Sequence, residues 1–161
     1  MKKALLLTVF SLFISLTYGQ SFQVKDLSKS IGFWEGKLTY LDYSSGKPYS
    51  MAANITLSLT QDQKGFIMSY EYPKEPHANA KDTTYVKGNL FGNDLIVAFK
   101  KEPNGDFQLI TDVEGEDGND HKKAVLRHTY RLTEKQFSIV KEVKFVGTDQ
   151  WIKRNEYLLQ R

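Results

Sequence analysis

The sequence contains no cysteine, only four prolines and, beyond its first twenty residues, no long apolar run. The lack of cysteine excludes a disulfide-stapled miniprotein, a cysteine-ligated metal site and a cysteine nucleophile. The sequence also lacks a large excess of either charge, because 22 basic and 19 acidic residues leave a formal net charge of only +3. Such a balance gives no reason to expect nucleic acid or an anionic membrane as a partner. We expect one globular domain stabilised by packing.

The first 19 residues have the pattern of a secretory signal peptide. Lys2 and Lys3 precede an apolar run over residues 4–16, and small residues follow up to Gly19. The run is too short to cross a bilayer core of about 30 Å as a helix. Cleavage after Gly19 would remove 19 of 161 residues, leave 142 and lower the formal charge from +3 to +1. We therefore expect a secreted or periplasmic protein with no membrane span, whose domain covers residues 20–161.

A short helix is expected at the start of this domain, within residues 20–32. Val24, Leu27 and Ile31 follow the i, i+3, i+7 spacing of about two helical turns. Gly32 comes next and is a common stop signal for a helix. No helical periodicity follows it, so the rest of the domain is expected to be strand and turn.

Alternation of apolar and polar residues with period two dominates the remaining chain, most clearly over residues 49–59. The expected strands cover residues 34–43, 49–59, 66–72, 83–90, 94–100, 106–112, 124–132, 136–146 and 151–160. Short turns make successive strands antiparallel neighbours, and a long meander usually closes because closure removes exposed edges. The sequence predicts an all-β fold, a single antiparallel up-and-down β-barrel of about eight to ten strands with a short N-terminal helix.

Two other architectures share this alternation. A β-sandwich is an alternative fold, since alternation alone does not distinguish it from a barrel. An outer-membrane barrel also begins with a signal peptide, but it would have to turn the apolar face to lipid and enclose the lysines and arginines. The odd strand count and the charges on the second face of the strands disfavour the membrane barrel.

The first strand opens with Gly32-Phe33-Trp34, after a short helix and before a meander. This start resembles the G-x-W motif of the lipocalins and the wider calycin superfamily, and the chain is similar to lipocalin-like secreted proteins of bacteria. The resemblance implies that Trp34 closes one barrel end beneath the helix and that a basic residue from the last strand covers it. Arg154 and Arg161 are both available; Arg154 is grouped with Gly32 and Trp34 as the expected barrel-end set.

The same resemblance bears on cofactors. Nitrobindin, a haem-binding barrel relative, carries its iron-ligating histidine near the C-terminus, whereas no histidine follows His128 here. We therefore expect neither haem nor any other cofactor.

His128 lies in phase with Leu126 and Tyr130, on the apolar face of its expected strand. Its imidazole should point into the barrel, where it would either contact a ligand or be a satisfied core histidine. No second histidine stands at metal-ligand spacing from it, so no metal site is expected.

Lys141 falls between Ile139 and Val143 on the face of its strand that is expected to point inward. A lysine inside an apolar barrel is costly unless it forms an ion pair or meets an anionic ligand such as a fatty acid. The alternatives are that Lys141 lies near the barrel mouth or that a bulge reverses the register.

Aromatic and methionine side chains supply the remaining walls of the expected pocket. Tyrosine hydroxyls are expected to face it from Tyr40, Tyr70, Tyr72, Tyr130 and Tyr157. The full expected ligand-binding set is Tyr40, Met51, Met68, Tyr70, Phe99, Phe107, His128, Tyr130 and Lys141. Ordinary strand packing also favours aromatic residues, so part of the set is expected to be core.

Acidic residues cluster over residues 112–120, which hold five carboxylates. Oxygen-rich loops can hold Ca²⁺, but the spacing here departs from the EF-hand pattern because Asp117 stands where glycine is required. We therefore expect a solvated acidic loop.

The leading functional hypothesis is a secreted or periplasmic β-barrel that binds a small, mostly apolar ligand in its interior. An alternative is a barrel with a packed interior that acts on a partner through its loops. A third is an isomerase-like enzyme with His128 or Lys141 as the base. No catalytic motif is present in the sequence, so we expect no enzyme and no catalytic residue.

Overall fold

The computed structural model describes residues 21–161, so the expected signal peptide over residues 1–19 lies outside the described residues. Ten strands occur in the order β1 Gly32–Leu41, β2 Pro48–Leu59, β3 Gly65–Glu71, β4 Ala80–Lys87, β5 Leu90–Phe91, β6 Asp94–Lys101, β7 Phe107–Asp117, β8 Lys122–Leu132, β9 Gln136–Phe145 and β10 Ile152–Gln160. Each strand pairs with its sequence neighbour, and β1 pairs antiparallel with β10 to close the barrel. The predicted all-β up-and-down barrel is confirmed, and the sandwich is excluded.

The N-terminal helix is a seven-residue 3₁₀ helix, Val24–Ser30, rather than an α-helix. A stretch this short forms a stable helix only through contacts outside it. Those contacts centre on Asp26, whose carboxylate accepts the Gln23 N–H at 2.8 Å and pairs with Lys101 at the end of β6 at 2.7 Å. Within residues 21–161, no helix is both long and apolar enough to span a bilayer.

The barrel end beneath this helix, which we call the helix end, is sealed around Trp34. Trp34 is fully buried, and its indole N–H donates to the Ser30 carbonyl at 2.7 Å. The Arg161 guanidinium carbon lies 4.2 Å from the indole centroid, and its nitrogens donate to the carbonyls of Ile31 and Lys29 at 3.3 and 2.5 Å. Arg161 therefore covers Trp34, and the expectation for Arg154 is corrected. Arg154 lies at the opposite end because β10 runs the length of the barrel between the two arginines.

Large side chains fill the interior of the helix-end half. The buried cluster includes Phe22, Leu27, Trp34, Ile55, Leu57, Phe66, Phe91, Phe107, Leu109, Leu132, Phe137 and Leu159. This half of the barrel is a packed core, so any internal space must lie nearer the opposite end, which we call the far end.

The acidic segment expected as a loop is mostly strand. β7 continues to Asp117, which pairs with Lys122 of β8. Alternation leaves Glu114 and Glu116 exposed on the outer face, where their charges stay solvated, and turns Asp117 inward. No group of three or more metal-ligating side chains occurs within the part of the chain that the structure describes.

The expected strand over residues 83–90 is divided in two, because Gly88 turns the chain with φ +61°. β5, which follows this turn, has two residues and makes only two pairings with β4 and two with β6. The two-residue length is too short to produce a period-two signal, which is why nine strands rather than ten were expected.

The short β5 leaves a gap in the far half of the barrel wall. Residues 80–84 pair with β3 on one side, and residues 113–117 pair with β8 on one side. In the described chain, no strand pairs with the other edge of either segment. We call these two unpaired edges, together with β5, the seam.

Candidate functional site

A cavity of about 350 Å³ lies in the far half of the barrel interior, above the packed core. Inward-facing residues from five strands and the residue after β3 form its lining: Met68, Tyr70, Tyr72, Ala80, Asp82, Thr84, His128, Tyr130, Ile139, Asn155 and Tyr157. Its volume is at the small end of the range of roughly 300–1,000 Å³ typical of ligand sites.

Four tyrosines dominate this lining. The Tyr70 and Tyr157 rings have their centroids 5.5 Å apart and are inclined at 47°. The hydroxyls of Tyr72 and Tyr157 share a hydrogen bond of 2.6 Å across the barrel. Tyr130 is buried beneath them. The two-residue spacing of Tyr70 and Tyr72 places both on the inner face of the β3 chain segment.

Three of these phenols, those of Tyr70, Tyr130 and Tyr157, stay protonated at physiological pH. Burial is the main cause that raises the pKa of Tyr70, Tyr130 and Tyr157 above the usual range, and the negative charge of Asp82 raises each pKa further. These three hydroxyls are thus neutral groups that can both donate and accept hydrogen bonds.

His128 faces the same cavity and is held by a carboxylate behind it. Its Nδ1 lies 3.2 Å from an Asp94 carboxylate oxygen, and the Thr111 hydroxyl donates to that same oxygen at 3.1 Å. With a proton on Nδ1 donated to Asp94, the Nε2 of a neutral ring is an acceptor. The histidine is therefore both a satisfied interior residue and a group that a ligand could contact.

Lys141 points inward near the far end, as one of the alternatives held, and forms an ion pair. Its Nζ lies 3.1 Å from one Asp117 oxygen, while the Arg154 Nε and the Tyr43 hydroxyl donate to the other at 3.0 and 2.5 Å. We call Tyr43, Asp117, Lys141 and Arg154 the Asp117 cluster. Burial opposes ionisation of Asp117, but the Tyr43 hydrogen bond and the two cations outweigh it and hold its pKa below the usual value.

Of the nine expected ligand-binding residues, the structure brings Met68, Tyr70, His128 and Tyr130 together around the cavity. The other five do not border it. Tyr40 is partly exposed and packs on Tyr49 at a centroid distance of 5.4 Å.

Phe99 and Phe107 pack at the helix end, with centroids 5.1 and 6.2 Å from that of Phe22. Met51 is half-buried. Neither Met51 nor Lys141 lines the interior cavity.

The sequence reasoning missed three polar lining residues, Asp82, Thr84 and Asn155. Asp82 directly precedes the expected strand at residues 83–90. It shares the alternating phase of Thr84 and Val86, so extending that strand by one residue would have found it. Asn155 shares the phase of Tyr157 and Leu159 on β10, so the same alternation would have found it. The register shift between Lys153 and Asn155 instead affects the orientation of Arg154. A bulge changes which residues face inward, and alternation does not reveal it.

A larger groove, about 710 Å³, lies beside Phe22 and the chain from β4 to β6. It includes Phe99, but no charged side chain is among its lining residues. The interior cavity differs from it in having several polar groups that converge on one space, which is the usual character of a specific site.

No protein-family model matches the sequence, and no curated protein matches it. Among solved structures, the chain is similar to the crystal structure of Rv2717c from M. tuberculosis, with a TM-score of 0.50. The sequences are 13% identical, and the match covers 86% of this chain and 96% of that chain. At this identity the likeness supports a shared β-barrel fold.

Proposed function

We propose that this protein is a secreted or periplasmic lipocalin-like barrel that binds a small ligand in its interior cavity. The observation that carries the proposal is the convergence of four tyrosines, His128, Asp82 and Asn155 on one space inside an otherwise packed barrel. A barrel this narrow can fill its interior with its own side chains, and its helix-end half does so. The unfilled half therefore points to an occupant.

The lining favours a more polar ligand than the mostly apolar one expected from the sequence. An apolar ligand would remove water from the Asp82 carboxylate and the Asn155 amide without replacing those hydrogen bonds. The cost is about 1–3 kcal/mol for the unsatisfied amide and more for the charged group. A small ligand with ring or methyl surface and a few polar groups matches the lining better.

The seam supplies a route to the cavity. Asp82 and Thr84 lie on the unpaired edge of β4 and also line the cavity, so the site borders the gap in the wall. A ligand could enter through the side of the barrel here, without displacing the Asp117 cluster at the far end.

Two other hypotheses are less well supported. A packed interaction module would leave no interior space for a ligand, whereas a cavity of about 350 Å³ is present. An enzyme would use His128 as a base, since Lys141 is paired with Asp117. Orientation of a histidine by a carboxylate does not specify a reaction, and the expectation that the protein is not an enzyme stays a prediction.

Native mass spectrometry of the mature protein, purified from its own host compartment, tests the proposal. We expect a chain that begins at Gln20 and carries one small molecule at near one-to-one occupancy, released by mild denaturation. A mass without a bound molecule, together with no rise in melting temperature across a broad set of small molecules, would overturn ligand binding. A mature chain that retains residues 1–19 would overturn the proposed secretion.

A pair of variants on one strand provides the control. Thr84→Trp places a large side chain in the cavity, whereas Thr83→Trp places the same side chain on the exposed outer face. We expect Thr84→Trp to lose the bound molecule and Thr83→Trp to keep it, with both giving the circular dichroism spectrum of the wild type. Retention by both folded variants would place the ligand outside this cavity.

A further inference from the structure

The cavity combines exposed ring surface with negative charge. The inclined rings of Tyr70 and Tyr157, 5.5 Å apart, together with Tyr72 and Tyr130, bring several aromatic faces and edges to one space. Aromatic faces attract cations through the negative potential above the ring, by about 0.5–2 kcal/mol per ring. Several rings around one space form the arrangement that recognises ammonium groups.

Carboxylates supply negative charge at the cavity. Asp82 is the carboxylate that borders the cavity, and neither a lysine nor an arginine is among the lining residues. Within residues 21–161, the Asp82 carboxylate has no hydrogen-bond or ion-pair partner, and Asp82 is exposed at the seam. Asp94 adds a second carboxylate behind His128, at 3.2 Å. An unpartnered carboxylate beside aromatic rings is suited to a positively charged ligand.

The two nearest inward cations are already engaged. Lys141 and Arg154 hold the Asp117 carboxylate at 3.1 and 3.0 Å, outside the cavity lining. An anionic ligand such as a fatty acid would find no free lysine or arginine in the cavity and would be repelled by Asp82. The anionic ligand considered for Lys141 is thus disfavoured by the arrangement of charges.

We propose that the ligand of this cavity is a small organic cation, an alkyl- or methylammonium compound whose nitrogen lies against the tyrosine rings next to Asp82. This inference rests on the proposed function, since it names the class of ligand that the same cavity would hold. The polar part of the ligand would then form hydrogen bonds with the hydroxyls of Tyr72 and Tyr157. It would also donate one to the Nε2 of His128.

Three probes of nearly equal shape and different charge test the proposal. Choline is the cation, 3,3-dimethyl-1-butanol is its neutral counterpart, and 3,3-dimethylbutanoate is a related anion. Their dissociation constants are measured by NMR titration of the purified protein. We expect choline to bind at least about tenfold more tightly than the alcohol, and the anion to bind most weakly.

Variants assign the charge dependence to Asp82. Asp82→Asn should weaken choline binding about tenfold and leave binding of the alcohol unchanged. Glu114→Gln removes a carboxylate from the outer face of β7 and should leave both unchanged. Tyr157→Phe, which keeps the ring and removes the hydroxyl, should retain most of the preference for choline.

Equal binding of choline and the alcohol, preference for the anion, or absence of choline binding would each overturn the cation assignment. Those outcomes do not decide whether the cavity binds a ligand at all. That question is tested by the native mass spectrometry and the melting-temperature measurements described above. A neutral or anionic molecule found in the native complex would support the proposed function and refute this inference.

Discussion

At the scale of single residues, Arg161 shows how one side chain can seal a barrel end. Its guanidinium covers the Trp34 indole at 4.2 Å and caps two carbonyls at the end of the 3₁₀ helix and the start of β1. One residue thus joins the end of β10 to the helix and to the residue that precedes β1. A planar cation with several donors can do this, whereas a lysine can occupy only one of these positions at a time.

Replacement of this arginine should destabilise the barrel without unfolding it. We expect Arg161→Ala to lower the free energy of unfolding by about 1–2 kcal/mol, from the lost cation–π contact and two lost hydrogen bonds, and Arg161→Lys to lower it by less. Urea unfolding measures both. Arg131→Ala, at an exposed arginine on β8, should change stability by less than about 0.5 kcal/mol. Equal unfolding midpoints for Arg161→Ala and Arg131→Ala would contradict the role given to Arg161.

The residue scale also shows where sequence reasoning stops. The sequence left two arginines, Arg154 and Arg161, as candidates to cover Trp34. Arg154 lies near the start of β10 and Arg161 directly after its end, so they reach opposite ends of the barrel. The choice depends on the direction of β10 relative to the helix and on the bulge after Lys153. These are properties of three-dimensional pairing rather than of residue type.

At the scale of secondary-structure elements, the strands differ greatly in how well they are held. β7 and β8 form an unbroken ladder from Phe107↔Leu132 to Asp117↔Lys122, and β9 continues it on the other side. β5 contributes two pairings to each neighbour. The barrel therefore has one strongly paired side and one narrow connection.

This difference predicts a gradient of hydrogen exchange. Local opening requires less free energy where fewer backbone hydrogen bonds and buried contacts must break. We expect amides in residues 80–91 to exchange much faster than those in residues 107–132, with the β1–β10 pairing in between. Exchange mass spectrometry on peptic fragments measures the three regions. Equal protection of residues 80–91 and 107–132 would show that the seam is closed in solution.

Alternation found most elements because the barrel has one buried and one solvated face, which gives each long strand a period of two. It failed for β5, which is too short to show a period, and for the acidic end of β7. There the outward charges of Glu114 and Glu116 resembled a loop, although a solvated strand face accepts charge as readily as a loop does.

At the scale of the whole molecule, the sequence predicted that the barrel closes. It did not predict which part of the interior is filled by side chains and which part holds a cavity. Strand number and meander order fix the barrel, and both could be estimated from turns and alternation. Whether opposite side chains meet or leave space depends on strand tilt and rotamers. Six lining residues were predicted to face the pocket because they share the inward phase of their strands: Met68, Tyr70, Tyr72, His128, Tyr130 and Tyr157. Asp82 was missed because it stands outside the expected strand.

The Asp117 cluster links loops and strands around the far end and should make stability of the entire barrel depend on pH. The pKa of Asp117 is lower in the folded protein than its ordinary value of about 3.9. Its ionised form therefore contributes stability at neutral pH, and this contribution is lost as the pH falls below about 4 and through the folded-state pKa.

We expect Asp117→Asn to be less stable than the wild type at pH 6, and the difference to be smaller at about pH 2.5, because protonation of Asp117 in the unfolded state removes part of the stability that its ionised form contributes. Urea unfolding at the two pH values measures this. Glu114→Gln, on the outer face of the same strand, should have the same free energy of unfolding as the wild type at both pH values. A deficit for Asp117→Asn that is the same at both pH values would contradict the electrostatic role of the cluster.

The seam has a further consequence, for how the molecule meets its own copies at high concentration. Unpaired strand edges can recruit strands from other molecules and start aggregation. Here the edge at residues 80–84 includes Lys81 and Asp82, and the edge at residues 113–117 includes Glu114 among three acidic residues. Charged side chains on an edge oppose the addition of another strand, because pairing would bring them together or remove their water. The seam beside the cavity is thereby protected against the addition of strands from other molecules.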